Sequence, residues 1–260
     1  MGSGEWWRRA WTWSLAAIFP FVVEQTFAWR PAPVETRVVS FTRSTPGCTS
    51  KSEGVGAWFY EEVPLVIGGC SPELQDSLNR ELLTFSKLDP DNPRRSLEQQ
   101  ANSWLSTWRA ARAEHPGAAS TSHYSSNTTA AFLYNGDGLL TVEVAWVGNG
   151  GHQNWYETRI ATWDVTSGQR VDAKGLVSSH LQSQLAETAA HRLLERSDIA
   201  LYTGKTDKTG KLQKAFVEHE NVAIVDDGLL YCFDPFEISG RGPGIIRHTV
   251  PWSVVRALRE

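Results

Sequence analysis

A chain of 260 residues with 41% apolar and 21% charged side chains has a globular composition and is long enough for one large domain or two small ones. Its formal charge of −4 survives removal of residues 1–28, because Arg8 and Arg9 leave together with Glu5 and Glu24. A mildly acidic chain has no general attraction for nucleic acid, whose binding rests on Lys and Arg neutralising phosphates; even the densest basic pair past the start, Arg94-Arg95, follows Asp89 and Asp91.

The amino terminus has the order of an export segment. Arg8 and Arg9 precede an apolar run from Ala10 to Val23, and Thr26-Phe27-Ala28 ends on a small residue suited to cleavage. The run is short for a membrane-crossing helix of about 20 residues, and Pro20 bends it. A second reading keeps it as an uncleaved anchor, extended by Trp11, Trp13 and Trp29, aromatic residues that favour the interface. Either way the rest of the chain is expected to work outside the cytoplasm, as a periplasmic or extracellular protein or one anchored to the inner membrane.

Thr36–Thr42 has strand composition, and Ala57–Ile67 is an aromatic and β-branched strand in which Pro64 suggests an edge or bend. Cys48 and Cys70 flank that strand in loop-like surroundings. They are the expected disulfide, closing a loop of about 20 residues for roughly 3 kcal/mol. Ser71 caps a helix with Pro72 in its first turn and Leu74, Leu78 and Leu82 as its buried stripe. After the breaker Asp89–Pro93, a capping box of Ser96 and Gln99 is expected to open a second helix, with Ala101, Trp104, Leu105, Trp108 and Ala111 on its core face.

His115–Asn127 reads as polar loop. Strands follow at Thr129–Tyr134 and Leu139–Val147 around the turn Asn135-Gly136-Asp137-Gly138, and at Trp155–Val165. Ser178 or Ser179 caps a helix running to Arg196 with the stripe Leu181, Leu185, Ala189 and Leu193. Phe216–Val225 and Leu229–Phe233 form a hairpin around Asp226-Asp227-Gly228, with Cys232 as a buried thiol. A strand at Ile245–Val250 precedes a short terminal helix. Hairpins interleaved with a few helices predict an α+β fold, an antiparallel hairpin-rich sheet packed by helices and preceded by the apolar export helix.

The carboxy-terminal half resembles a known family. The run Val147-Gly148-Asn149-Gly150-Gly151-His152-Gln153-Asn154 is followed by Thr162-Trp163-Asp164-Val165-Thr166-Ser167-Gly168-Gln169-Arg170-Val171. After a helix come Asp227 to Ile238, then Gly242-Pro243-Gly244-Ile245 and Thr249-Val250-Pro251-Trp252. This order is similar to domain-of-unknown-function family 3298, which closes the RsiV-type anti-sigma factors and also occurs beside polysaccharide deacetylase domains. Residues 29–115 look more weakly like its usual amino-terminal companion. With residues 1–28 as signal or anchor, the resemblance implies a smaller α+β subdomain over 29–115 and the RsiV-like domain over 116–260. It implies an extracytoplasmic protein-binding role, since RsiV-type domains recognise lysozyme. Only nine residues precede the apolar run, so a cytoplasmic sigma-binding segment is not expected. The family has a tyrosine where this chain has Phe236, and a tyrosine-alanine pair at Gly240-Arg241.

Candidate chemistry is sparse. Gly150-Gly151-His152 reads as a tight strand connection with His152 at its edge; as a base or metal ligand, His152 has no second histidine at ligand spacing. In Asp234-Pro235-Phe236-Glu237 the proline ends a strand and Asp234 caps a turn, whereas paired catalytic carboxylates need separated environments. Gly240-Arg241-Gly242-Pro243-Gly244 lacks the lysine and following helix of a phosphate loop. No nucleophile-elbow or zinc-protease motif occurs. The expected function is therefore non-catalytic binding of a protein or cell-wall component, with no cofactor, metal or nucleic acid. The loops carrying Gly150, Gly151, His152, Asn154, Phe236 and Arg241 are its expected contacts. Two rivals stand beside it: a membrane-anchored accessory subunit of a membrane complex, and a wall hydrolase using His152 and Asp234.

Overall fold

The computed structural model describes residues 32–46, 48, 56–115, 123–150, 154–196, 208–235, 237–238 and 244–258. Residues 1–28, the expected export segment, lie outside them. Among the described residues no helix is long and apolar enough to cross a membrane.

The expected α+β architecture is present, with two sheets and five helices among the described residues. Strands β1 (Glu35–Ser44) and β2 (Gly56–Gly68) pair antiparallel. Helices α1 (Pro72–Phe85) and α2 (Pro93–Glu114) then cross back, so β3 (His123–Gly136) runs parallel to β2. Strands β4 (Leu139–Gly150), β5 (Asn154–Asp164) and the short β6 (Arg170–Val171) continue antiparallel. The six strands lie in sequence order. Helices α3 (Ser179–Leu194) and α4 (Lys208–Glu218) precede the second sheet, formed by β7 (Val222–Val225), β8 (Gly228–Phe233) and β9 (Ile246–Pro251); α5 (Trp252–Ala257) follows.

Central strand β4 explains the layering. Its even residues Leu140, Val142 and Val144 join Leu78, Leu82 and Phe85 of α1 in one core. Its odd residues Thr141 and Glu143 face the second sheet: the Thr141 hydroxyl donates to the Ile224 carbonyl, and Glu143 takes a bidentate pair from Arg247. Strand alternation thus places helix on one face and sheet on the other. A further core packs Leu185, Ala189 and Leu193 of α3 against Phe216, Phe233 and Val250.

Local chemistry sets the turns. Asp137 and Gly138, at φ 53° and 77°, form the two-residue β3–β4 loop, the left-handed pair that a primed hairpin turn requires. Ser71 caps α1 as expected, its Oγ accepting from the Leu74 N–H at 3.3 Å.

Several expectations are corrected. Cys48 and Cys70 are not bonded to one another. Cys48 lies beside Gly56 at one end of β2 and Cys70 follows Gly68 at the other, and thirteen extended residues hold the ends roughly 40 Å apart. Helix α2 begins at Pro93, so Ser96 lies inside its first turn, its N–H bonded to the Asn92 carbonyl, and forms no capping box. His123–Asn127 belongs to β3, where the parallel ladder with β2 claims its backbone. Phe216 sits on α4, buried against Tyr231 and Phe233, and the strand starts only at Val222. Cys232 is buried as expected, and burial, with Glu143 nearby, pushes its thiol up to about 12.

Candidate functional site

Where the two sheets meet, a polar cleft of about 490 Å³ opens beside β5. Glu157 and Arg159 reach it from β5 and Arg170 from β6; His219 and Asn221 come from the link between α4 and β7, and Asp234 and Glu237 from the turn after β8.

Asn221 organises this junction. Its Oδ1 accepts the Ile160 N–H at 2.6 Å, and its Nδ2 donates to the carbonyls of Thr158 (2.6 Å) and Cys232 (3.0 Å). One side-chain amide therefore stands in for a neighbouring strand along β5 and ties it to β8. His219 shares the Cys232 carbonyl at 2.7 Å; a carbonyl only accepts, so Nε2 carries the proton. The ring stacks on Phe233 at 4.1 Å, and burial lowers its pKa.

Two of the cleft's acids, Glu157 and Glu237, are committed to neighbours, whereas Glu218 and Glu220 line it exposed. Glu157 meets Lys87 at 2.6 Å and Arg159 at 2.9 Å. Burial alone would raise its pKa, but these two cations outweigh it and lower it. Both also lie over the Trp146 ring. Lys87 follows the end of α1 at φ 61°, and this left-handed turn carries its ammonium to both partners. Glu237 accepts the Asp234 N–H at 2.6 Å and has His219 Nδ1 3.8 Å away. The carboxyl of Asp234, with Oδ1 buried and unpartnered, is pushed up to about 6 by burial and by Glu237, against the opposing pull of the Thr158 backbone. Among the described residues no group of His, Cys, Asp and Glu side chains has the arrangement of a metal site.

Of the expected contacts, Gly150 and Asn154 close the β4–β5 hairpin, where Asn149 opposite Asn154 is the last pair. Gly151, His152, Phe236 and Arg241 lie outside the described residues. Thr158, which meets Asp234, is four residues along β5 from Asn154, about 13 Å in an extended chain. Strand β5 thus carries both the hairpin end and the Asp234–Glu237 turn. At the hairpin end Trp155 lies across Gly148, where an added Cβ would meet Trp155 Cζ2 at 1.9 Å, and packs edge-on with Trp104 at 5.1 Å. Trp108, by contrast, is buried.

Sequence reasoning missed Glu157, Arg159, His219 and Asn221. One signal was available: Glu218-His219-Glu220-Asn221 places four polar residues in a row inside the stretch read as one strand, where a half-buried strand would alternate.

No protein-family model matches the sequence, and no curated protein does. Solved structures do. A member of the DUF3298 family from Bacteroides fragilis superposes with a TM-score of 0.65 at 12% identity, over 88% of this chain and 94% of that one. A DUF3298 family protein from Pseudomonas aeruginosa PAO1 does so with a TM-score of 0.51 at 15% identity, over 87% and 94%. The fold is that of DUF3298 proteins.

Proposed function

We propose that this chain belongs with the DUF3298 proteins as a non-catalytic binding module of the cell envelope, recognising a protein or cell-wall component at the cleft beside β5. The observation that carries the reading is the commitment of Glu157 and Glu237 to neighbouring groups of the cleft. Glu157 is held by Lys87 and Arg159, and Glu237 by the Asp234 backbone. Hydrolysis of a glycan needs one carboxyl kept as proton donor and another available to attack or to activate water. Acids used to fix a turn and a strand edge suit recognition better. The motif order from Val147 to Trp252 supports the family placement, with the RsiV-type domain as a functional parallel. Arg8, Arg9 and the run Ala10–Val23 support work outside the cytoplasm. Trp6, Trp7, Trp11, Trp13 and Trp29 suit contact with lipid or neighbouring helices if that segment stays in place as an anchor.

Calorimetric titration of the purified full chain with lysozyme, and separately with soluble wall-glycan fragments, tests this. Saturable binding to one of them is expected, weakened at least tenfold by Glu218→Lys with Glu220→Lys, two exposed cleft positions. Cleavage of the glycan that Asp234→Asn abolishes would overturn the proposal.

A further inference from the structure

Strand β1 ends the six-stranded sheet, and among the described residues no strand pairs with its outer edge. Proteins protect such edges with proline, lysine, bulges or a covering element. This strand contains no proline or lysine, and its register with β2 shifts once, between Glu35 and Thr36, and is unbroken from Thr36 to Ser44. Successive residues Val38 and Val39 point to opposite faces and are 39% and 44% exposed, so both faces of the strand lie open.

The hydrogen-bonding parity of this edge is fixed. Thr45 continues the β1 register opposite Ala57 and donates its N–H to the Ala57 carbonyl at 3.0 Å. Antiparallel residues alternate between facing the partner and facing away. Arg37, Val39, Phe41 and Arg43 therefore turn their backbone groups to β2, and Thr36, Val38, Ser40 and Thr42 turn theirs outward. A second copy brought up antiparallel about a two-fold axis must match outward residues with outward residues, so the axis passes beside one residue and its own symmetry mate.

Charge then selects the register. An axis at Ser40 sets Arg37 against Arg43, like charges face to face. An axis at Val38 sets Glu35 against Phe41 and leaves Arg43 beyond the ladder; one at Phe41 sets Val39 against Arg43 and leaves Glu35 beyond it. An axis at Val39 sets Glu35 against Arg43, Thr36 against Thr42, Arg37 against Phe41, Val38 against Ser40 and Val39 against itself, each unlike pair occurring twice. Opposite-charge, Thr–Thr, cation–aromatic and β-branched pairs are all favourable across strands. We infer that β1 is a self-pairing edge, two copies of this chain joining β1 to β1 antiparallel about Val39 so that their six-stranded sheets become one. This stands on the strand alone and is independent of the cleft.

Sedimentation of the purified full chain over a concentration series is expected to show a monomer–dimer equilibrium. Glu35→Arg or Arg43→Glu each turns two opposite-charge pairs into like-charge pairs and should weaken the dimer roughly tenfold; the double exchange should recover most of it. On mild oxidation Val39→Cys should give a disulfide-linked homodimer above the level of the parent chain, because a non-hydrogen-bonded pair brings Cα atoms to about 4.5 Å. Val38→Cys should not, since its symmetry mate lies beyond the roughly 7 Å that a disulfide spans. All these positions are exposed, so an unchanged melting temperature will certify each variant's fold. The proposal is overturned by a monomer at every concentration, by equal linking in the Val38→Cys and Val39→Cys variants, by failure of the double exchange to recover the dimer, or by linkage of the Val39→Cys variant to a different protein.

Discussion

The two long edges of the principal sheet are finished in opposite ways. Along β5, the Thr158 carbonyl and the Ile160 N–H are both answered by Asn221, and Thr162 and Trp163 pair with β6. Along β1, no described strand answers Thr36, Val38, Ser40 or Thr42. The difference teaches where side chains have been used in place of a strand. Asn221 closes one edge, and with Asp234 it shapes the polar cleft beside it. The bare edge has instead a self-complementary row of residues.

Asn221→Ala gives the largest effect expected from disturbing this contrast. It leaves the Ile160 N–H and the Thr158 carbonyl without partners at a buried junction, at a cost of roughly 4 kcal/mol given about 1–3 for each orphaned group. Chemical denaturation should show the loss.

A smaller effect belongs to the β1 half. Glu61 lies at the last β2–β3 pair, almost wholly buried, with Oε1 unpartnered. Burial pushes its pKa from 4.5 up to about 7, against the opposing pull of Lys87. A folded acid with a raised pKa stays protonated while the unfolded chain ionises, so its contribution is complete below about pH 4.5 and fades as pH rises through 7. Glu61→Gln should remove this slope and stabilise the protein at pH 8 by on the order of 3 kcal/mol, read from melts at pH 5 and pH 8.

What could be read from the sequence follows the range of the interactions. Ser71-Pro72 and Asp137-Gly138 act within a few residues, so α1 and the β3–β4 hairpin were plain. The parallel β2–β3 pair joins segments separated by two helices, and no local pattern marks it. Cys48 and Cys70 are near in sequence, but the extended strand β2 between them sets them far apart in space. Asn221 is one polar residue among many until β5 is placed beside it. The cleft was visible in advance only through Asp234 and Glu237, which looked like a turn and are one.

Residue-resolved hydrogen exchange on the dilute monomer tests the contrast between the edges most directly. The Ile160 amide, held by Asn221, should exchange only through global unfolding. Thr36, Val38, Ser40 and Thr42 should exchange near unfolded-chain rates, while their neighbours Arg37, Val39, Phe41 and Arg43 are slowed by β2. An Ile160 amide as fast as that of Val38, or a β1 without this alternation, would contradict the account.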